Sequence, residues 1–194
     1  MRQFVYFSSK AATSGKALSQ GNLMKAGRMD IAIHVIIASF FLSHAFRKDT
    51  KLHLVFYGMP DPPKHIEMQV KDELTISKKD VGNLLKKILY KYQKGRKTEV
   101  LPGCFVEKKS FLKVIEELES EGNEIFILDK KGKDIREIKI PKKCVFIVGD
   151  HEGLPKKELR RLKKMATKVS VGPRTYFASQ VVAIVNNELD RRGI

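Results

Sequence analysis

The second half of this chain alternates strand-like and helix-like segments, and this alternation constrains its fold more than any other feature. Apolar runs of strand length lie at Glu124–Leu128, Val145–Val148 and Lys168–Val171. Segments with apolar residues at helical spacing lie between and after these runs, and the last helix is predicted over Phe177–Leu189. Strands that alternate with helices are typical of a mostly parallel sheet with helices on both faces. The sequence therefore predicts an α/β fold.

The first half has more hairpin character than the second half. Residues 2–8 and 51–57 have strand character, and the runs Ile66–Val70 and Leu74–Ile76 indicate short antiparallel strands. The chain contains neither an internal repeat nor a linker rich in Pro, Gly and Ser. We therefore expect residues 1–194 to form a single domain, in which the first half elaborates the same sheet.

The run Ile31–Phe46 is apolar on nearly every side, and it predicts a buried helix that Asp30 caps or opens and that ends near Arg47. The run is shorter than the roughly 20 residues that span a bilayer, so we expect no membrane segment. Such a helix belongs in the core or across a subunit interface. Together with the apolar last helix around Val181, it predicts a homodimer.

The charge of the chain points to a polyanionic partner. Lys and Arg number 38 against 22 for Asp and Glu, which gives a formal net charge of +16. Nucleic acid and an acidic membrane surface both fit this excess. Basic stretches such as Lys86–Lys97 and Lys156–Lys164 favour nucleic acid, because the membrane alternative lacks an apolar face or a lipidation signal.

The cysteine content excludes a disulfide scaffold. The two cysteines, Cys104 and Cys144, form no C-x-x-C pair for zinc, and the apolar stretch at the start of the chain is too short for a signal peptide. We therefore expect free thiols in a reducing cytoplasm.

Two glycine-containing loops follow predicted strands near the end of the chain. One is Gly149-Asp150-His151-Glu152-Gly153, and the other begins at Gly172-Pro173. Ligands of α/β sheets bind at the carboxyl ends of strands, and glycine allows a ligand to approach the backbone closely. The two loops could form one pocket, or each could be an ordinary turn. No distant cluster of His or Asp completes a metal site with Asp150, His151 and Glu152, so no metal is expected.

A third constellation, Gly27-Arg28-Met29-Asp30, lies at the entrance to the apolar helix, and Arg47-Lys48-Asp49 lies beyond its end. An arginine beside a helix start can bind phosphate, or it can pair with Asp30 in a purely structural role. The sequence leaves both alternatives open.

Taken together, these motifs resemble a known family. The glycine loop at Gly149–Gly153 and the later segment Ser170-Val171-Gly172-Pro173 with its terminal helix resemble the SPOUT methyltransferases. In the first half, Gly27–Asp30, Phe40–His44 and the pair Tyr57-Gly58, with Arg47 and Asp49, resemble the tRNA (pseudouridine-54 N1)-methyltransferases. The resemblance covers nearly the whole chain.

The resemblance implies a SPOUT-like sheet with a C-terminal trefoil knot over about residues 120–194, a homodimer, and S-adenosylmethionine as the cofactor. By position, the cofactor contacts are Leu128, Gly149, Val171, Gly172, Pro173, Arg174, Thr175, Tyr176 and Val181. Val181 stands where the family often has a cysteine. A backbone contact survives that change, whereas a thiol contact does not.

The implied reaction is methylation of pseudouridine N1 in the T loop of tRNA. A carboxylate could accept the N1 proton, with Asp30 as the first candidate and Asp61 as the second. Arg28 and Arg47 would hold RNA phosphates, and the target base would have to leave its stack to reach the pocket. Another RNA target, such as an rRNA pseudouridine or a ribose 2′-hydroxyl, and a non-catalytic RNA-binding module are the alternatives.

Overall fold

A computed structural model describes residues 1–18, 23–71 and 77–194, and eight strands of these residues form one sheet. The strands are β1 (Arg2–Ser8), β2 (Thr50–Phe56), β3 (Lys64–Gln69), β4 (Thr98–Leu101), β5 (Cys104–Glu107), β6 (Glu124–Asp134), β7 (Cys144–Gly149) and β8 (Ala166–Ser170). Their order across the sheet is β4-β5-β3-β2-β1-β7-β6-β8.

Five adjacent strands of the sheet are parallel, and three are antiparallel. The order β2-β1-β7-β6-β8 is parallel throughout, whereas β3, β5 and β4 continue the sheet beyond β2 as antiparallel strands. The predicted mostly parallel α/β sheet is confirmed, and the first half does extend that sheet with a hairpin-like arm. Residues 74–76, which the sequence predicts as a strand, lie outside the described residues.

Helices cover both faces of the sheet, as predicted. They are α1 (Gly15–Leu18), α2 (Met29–Phe40), α3 (Val81–Tyr90), α4 (Phe111–Ser120), α5 (Lys156–Met165) and α6 (Ala178–Arg191). Side chains of β1 point alternately to the two faces of the sheet, and each face has its own hydrophobic core. Phe4 and Tyr6 belong to the core that packs against α2, α3 and α6. Val5 and Phe7 join the other core with α4 and α5.

The apolar run after Asp30 forms a shorter helix than its composition predicts. The helix α2 ends at Phe40, and Phe41 has an extended backbone that forms an isolated bridge with Phe46. The two phenyl rings lie in edge contact with centroids 4.8 Å apart. The expected end near Arg47 is therefore wrong, because these aromatic residues fold back on each other in a turn. Every helix of the described residues is too short or too polar to cross a bilayer.

The hairpin of β4 and β5 was missed by the sequence patterns. Both strands are four residues long, and each contains one glutamate beside its apolar residues. Cys104 and Val106 are nonetheless fully buried on alternate positions of β5. The turn between the strands contains Pro102-Gly103, which was the available signal.

The parallel strands end together along one side of the sheet, here called the C-terminal edge. It is marked by the carboxyl ends of β1, β2, β7 and β8, at Ser8, Phe56, Gly149 and Ser170. Loops leaving this edge are therefore brought together although they are far apart in sequence.

Candidate active site

A cavity of about 870 Å³ opens at the C-terminal edge, above the ends of β6, β7 and β8. Leu128, Gly149 and Val169 contribute from these three strands, and Ala178 and Val181 contribute from the first turn of α6. The lining is apolar at its base because the strand ends carry leucine and valine. This position is the one at which parallel α/β sheets bind ligands.

Both glycine loops predicted from the sequence line this cavity. The loop after β7 is held by Asp150, whose backbone N–H donates to the Phe7 carbonyl at 3.0 Å. Its carboxylate accepts the Ser8 hydroxyl at 2.7 Å and the Glu152 N–H at 2.8 Å. Asp150 thereby fixes the loop to the end of β1, so this side of the cavity is formed before any ligand binds.

The loop after β8 is fixed by a side chain at its own base. The Ser170 hydroxyl accepts the Gly172 N–H at 3.2 Å and donates to the Gly172 carbonyl at 3.0 Å. Gly172 has φ 147°, and a Cβ there would lie 3.1 Å from the Tyr176 hydroxyl. A side chain at this position is therefore strained, and it would crowd the cavity wall.

The rim of the cavity is strongly basic. Six basic side chains line it against two acidic ones; the basic residues are Arg28, Lys130, Lys131, Lys163, Lys168 and Arg174. The acidic residues are Asp129 and Asp150. The Lys168 ammonium lies 2.5 Å from the Asp129 carboxylate, and together with the Lys131 N–H it lowers the pKa of that carboxyl group. The rim is therefore suited to an anionic partner.

Arg28 and Asp30 lie where α2 begins, and of the two only Arg28 lines the cavity. Arg28 lines the cavity with a left-handed backbone of φ 62°. Its Nε and Nη2 atoms each donate to the Asp30 carboxylate at 3.0 Å. The Arg28 guanidinium lowers the pKa of Asp30. Asp30 is the second residue of α2, and its side chain engages Arg28 rather than capping the helix.

Comparison with known proteins decides the family. A family described as "Putative SAM-dependent RNA methyltransferase" matches residues 1–194. The chain belongs to this family. S-Adenosylmethionine is the cofactor of its members, and the resemblance found in the sequence is confirmed.

Several full-length relatives of the family member described here carry the name tRNA (pseudouridine(54)-N(1))-methyltransferase. The chain is 37% identical to the tRNA (pseudouridine(54)-N(1))-methyltransferase of Pyrococcus abyssi, covering 100% of both chains. It is 34% identical to the protein of the same name from Thermococcus kodakarensis, covering 98% of this chain and 99% of the relative. The crystal structure of Archaeoglobus fulgidus Nep1 bound to S-adenosylhomocysteine has the same fold, with a TM-score of 0.64 and 16% identity over 100% of this chain and 99% of that one.

Most of the cofactor contacts that the resemblance implied lie together in the methyltransferase cavity. The residues that line it are Leu128, Gly149, Val171, Gly172, Arg174, Thr175, Tyr176 and Val181. Pro173 lies between two lining residues but does not itself line the cavity. The structure thus brings together positions from β6, β7, the loop after β8 and α6.

Asp61, the second carboxylate candidate in this methyltransferase, lies on the same edge but outside the cavity lining. It follows β2, and its carboxylate accepts from Lys64 at 2.6 Å and from Lys108. These two ammonium groups lower the pKa of Asp61 to about 2. A carboxylate held this way is a weak proton acceptor.

Arg47 lies at the opposite edge of the sheet from the cavity, just before β2 begins. Its side chain is 12% exposed and forms two hydrogen bonds to Asp190 of α6, at 2.7 and 2.5 Å. Arg2, at the start of β1, binds the same carboxylate at 2.8 Å. These contacts give Arg47 a structural role, and its predicted contact with RNA phosphate stays a prediction.

Sequence patterns missed several polar residues of the cavity. Asp129, Lys130 and Lys131 directly follow a predicted strand, so the rule that located the glycine loops could also have located them. The sequence pattern indicates Lys163 only as part of a basic helix. In the described ranges, no group of three or more His, Cys, Asp or Glu residues could hold a metal ion.

Proposed function

We propose that this protein transfers the methyl group of S-adenosylmethionine to N1 of pseudouridine 54 in tRNA. The observation that carries the proposal is the preformed cavity at the C-terminal edge, in a chain that matches pseudouridine-54 methyltransferases over its full length. The volume of about 870 Å³ is in the usual range for sites that enclose a small organic ligand.

The cavity residues fit the cofactor. Leu128, Val169 and Val181 form an apolar surface for an adenine ring, and the absence of a side chain at Gly172 lets a ligand approach the backbone closely. Because a valine at position 181 has no thiol, any contact there with the cofactor is an apolar or backbone contact. When bound, S-adenosylmethionine supplies a methyl group on a sulfonium centre, which is already activated for transfer.

The chain's own residues orient the RNA and accept a proton. Arg28 is placed at the mouth of the cavity to bind a phosphate near the target nucleotide. A phosphate that takes the Arg28 guanidinium would release Asp30, whose pKa would then return towards its ordinary range. We therefore favour Asp30 over Asp61 as the acceptor of the N1 proton, since Asp61 remains paired with the ammonium groups of Lys64 and Lys108.

The inner part of the RNA-binding surface is proposed to include α5. Exposed cations cover this helix and have no carboxylate partner among the described residues; they are Lys156, Lys157, Arg160, Lys163 and Lys164. The helix borders the cavity through Leu159 and Lys163. RNA phosphates bound along α5 would pass beside the cavity mouth, as base extrusion into the cavity requires.

A trefoil knot over residues 120–194 and one domain over 1–194 are part of the proposal. Val169 of β8 pairs with both Leu128 and Lys133 of β6, so the chain between them bends around β8. A Cβ on Gly132 would lie 2.5 Å from the Val169 nitrogen, which shows how closely this bend is wrapped. Such a wrapped loop supports passage of the following chain through it.

A homodimer is also proposed. Phe177 is 76% exposed at the start of α6, beside the cavity. Burial of this apolar ring would favour association, which supports a second subunit at the cavity. We further propose a cytoplasmic location, which the free, buried thiols of Cys104 and Cys144 support.

The experiment that tests the function follows a labelled methyl group. Archaeal-type tRNA transcripts carrying pseudouridine or uridine at position 54 are incubated with the protein and methyl-labelled S-adenosylmethionine, and the nucleosides are analysed by mass spectrometry. We expect label on the base of N1-methylpseudouridine in the first tRNA and none in the second. Label on a ribose, or equal label in both tRNAs, would refute the proposed target.

A further inference from the structure

A patch of exposed cations lies at the outer end of the C-terminal edge, away from the cavity. Lys87 and Lys91 lie at the carboxyl end of α3, and Lys94 and Arg96 follow on the segment that leads into β4. All four side chains are exposed. We call these four residues the outer basic patch.

The strand register places this patch on the same edge as the cavity. Thr98, the first residue of β4, pairs with Val106 near the end of β5, and β5 runs antiparallel to β3. Lys64, the first residue of β3, pairs with Phe56 at the carboxyl end of β2. The segment before Thr98 therefore leaves the sheet on the side where β1, β2 and β7 end.

The four cations have no carboxylate partner. Within residues 1–18, 23–71 and 77–194, no ion pair involves any member of the outer basic patch. Neighbouring lysines differ in this respect, because Lys97 binds Glu67 at 2.7 Å and Lys108 binds Asp61. Four like charges close together repel one another, and this repulsion is relieved when a polyanion binds.

The backbone that carries the start of the patch is held in place by contacts with the core. The Tyr92 ring lies under the ammonium group of Lys64, 3.9 Å from it, and the Lys64 side chain is only 1% exposed. The Lys91 N–H donates to the carbonyls of Lys87 and Ile88 at the end of α3. A patch whose backbone is fixed loses less entropy when it binds a partner.

A purely structural role accounts for only half of the patch. Cations at the carboxyl end of a helix stabilise it, which explains Lys87 and Lys91. Lys94 and Arg96 lie beyond the helix, so this effect does not reach them.

The sheet itself gives the distance between patch and cavity. Five strand-to-strand steps separate β4 from β7, the nearest strand under the cavity. At about 4.8 Å for each step, the separation is about 25 Å. RNA that occupies both places must extend well beyond the nucleotide that enters the cavity.

We propose that the outer basic patch binds backbone phosphates of a double-helical arm of the folded tRNA, so that the enzyme recognises the folded molecule and not only the arm that carries the target. This inference rests on the proposed function for its substrate. Double-stranded RNA is bound mainly through its shape and backbone, which suits lysine and arginine without a base-reading pocket.

Charge reversal at two patch residues tests the inference, with a matched change at the opposite edge as the control. The patch variant is Lys94→Glu with Arg96→Glu. The control variant is Lys139→Glu with Lys142→Glu, whose side chains are exposed before β7 begins and have no ion-pair partner in the described ranges. The two variants change the net charge equally.

Binding is measured by filter retention with two unmodified RNAs, a full-length tRNA and a hairpin of its target arm alone. For the full-length tRNA, we expect the patch variant to raise Kd roughly tenfold at low salt. The slope of log K against log salt should flatten by about 1.8, which is the value for two duplex phosphate contacts. For the hairpin, Kd should change less than twofold. The control variant should leave both RNAs within twofold of the wild type.

Two results would overturn the inference. One is an equal loss of affinity for hairpin and full-length tRNA in the patch variant, and the other is an equal effect of the patch and control variants. Wild-type methylation of pseudouridine 54 is scored separately. Its failure refutes the proposed function, whereas the binding comparison decides whether the patch contacts the body of the tRNA.

Discussion

Acidification should destabilise this protein through one buried histidine, His53. Its Nε2 lies 3.0 Å from Gln3 Oε1, and its Nδ1 lies 2.9 Å from His65 Nε2. Asn123 donates to the Leu118 carbonyl and therefore turns its own oxygen towards Gln3 Nε2, at 3.2 Å. The Gln3 oxygen then faces His53, so His53 donates from Nε2 and accepts at Nδ1.

This arrangement leaves no acceptor for a second proton on His53. His65 Nδ1 donates to the Glu107 carboxylate at 3.0 Å, and when His65 also carries a proton on Nε2 it donates to His53 Nδ1, so a proton on His53 Nδ1 would face another donor. Burial lowers the pKa of His53 well below its ordinary value of 6.5, and charge on His65 and on Lys51 lowers it further. His53 is thus neutral in the folded protein at pH values where the unfolded chain protonates it.

The sign and size of the effect follow from proton linkage. Below pH 6.5 the unfolded state binds one more proton at His53 than the folded state, so stability falls as pH falls. The loss approaches about 1.4 kcal/mol for each pH unit well below 6.5, but it is about 1 kcal/mol between pH 6.5 and 5.5, because the unfolded histidine is only half protonated at pH 6.5. This one group therefore removes up to about a fifth of the 5–15 kcal/mol that usually stabilises a domain.

Urea unfolding at pH 7.5, 6.5 and 5.5, followed by circular dichroism, measures the effect. The comparison variant is His53→Gln, which keeps a donor and an acceptor but does not titrate. We expect the wild type to lose about 1 kcal/mol more than the variant between pH 6.5 and 5.5, with equal m values. Carboxylates with lowered pKa values, such as Asp61, lose their contribution only at lower pH. Equal pH slopes in the two proteins would refute the reasoning.

Three further predictions concern the site and its support. Gly172→Val should raise Kd for S-adenosylmethionine by about 5- to 150-fold in calorimetry, because the branched side chain fills space that the ligand needs and overpacking costs about 1–3 kcal/mol. Gly122→Val, also at a positive φ but in open space, should leave Kd unchanged. Arg28→Ala should weaken tRNA binding and flatten the slope of log K against log salt by the value for about one phosphate contact. Asp30→Asn should lower the single-turnover methylation rate and leave tRNA affinity unchanged. An equal loss of tRNA affinity in both variants would mean that Asp30 only positions Arg28. Arg47→Ala should lower the free energy of unfolding by up to about 1 kcal/mol through loss of its ion pair to α6, with an unchanged salt slope for tRNA; a flatter slope would establish an RNA contact instead.

The sequence predicted the elements that depend on local patterns. Period-two and continuous apolar runs located β1, β2, β6, β7 and β8, because these strands lie in the middle or the parallel half of the sheet and are built from apolar residues. The same patterns mistook residues 41–46 for helix, since Phe41 and Phe46 are apolar for a reason unrelated to helical periodicity: they pack on each other across a turn.

The candidate site was predictable where it follows from sheet geometry and unpredictable where it depends on distant ion pairs. Loops after parallel strands meet at one edge, which brought Gly149 and Gly172 into one cavity. Arg47 binds Asp190 across 143 positions of the chain, and Asp61 binds Lys108 across 47. Such pairs leave no trace in local spacing, so only the structure shows that these charges are already engaged.

The central position of β1 has a consequence for synthesis on the ribosome. Its one neighbour, β2, begins at Thr50, but its other neighbour, β7, begins only at Cys144, which pairs with Arg2. At about 5–20 residues per second, the second hydrogen-bonding side of β1 stays open for roughly 7–28 s of translation. An apolar strand with an open side is prone to pair with another chain, so the nascent protein is most exposed to aggregation before β7 emerges.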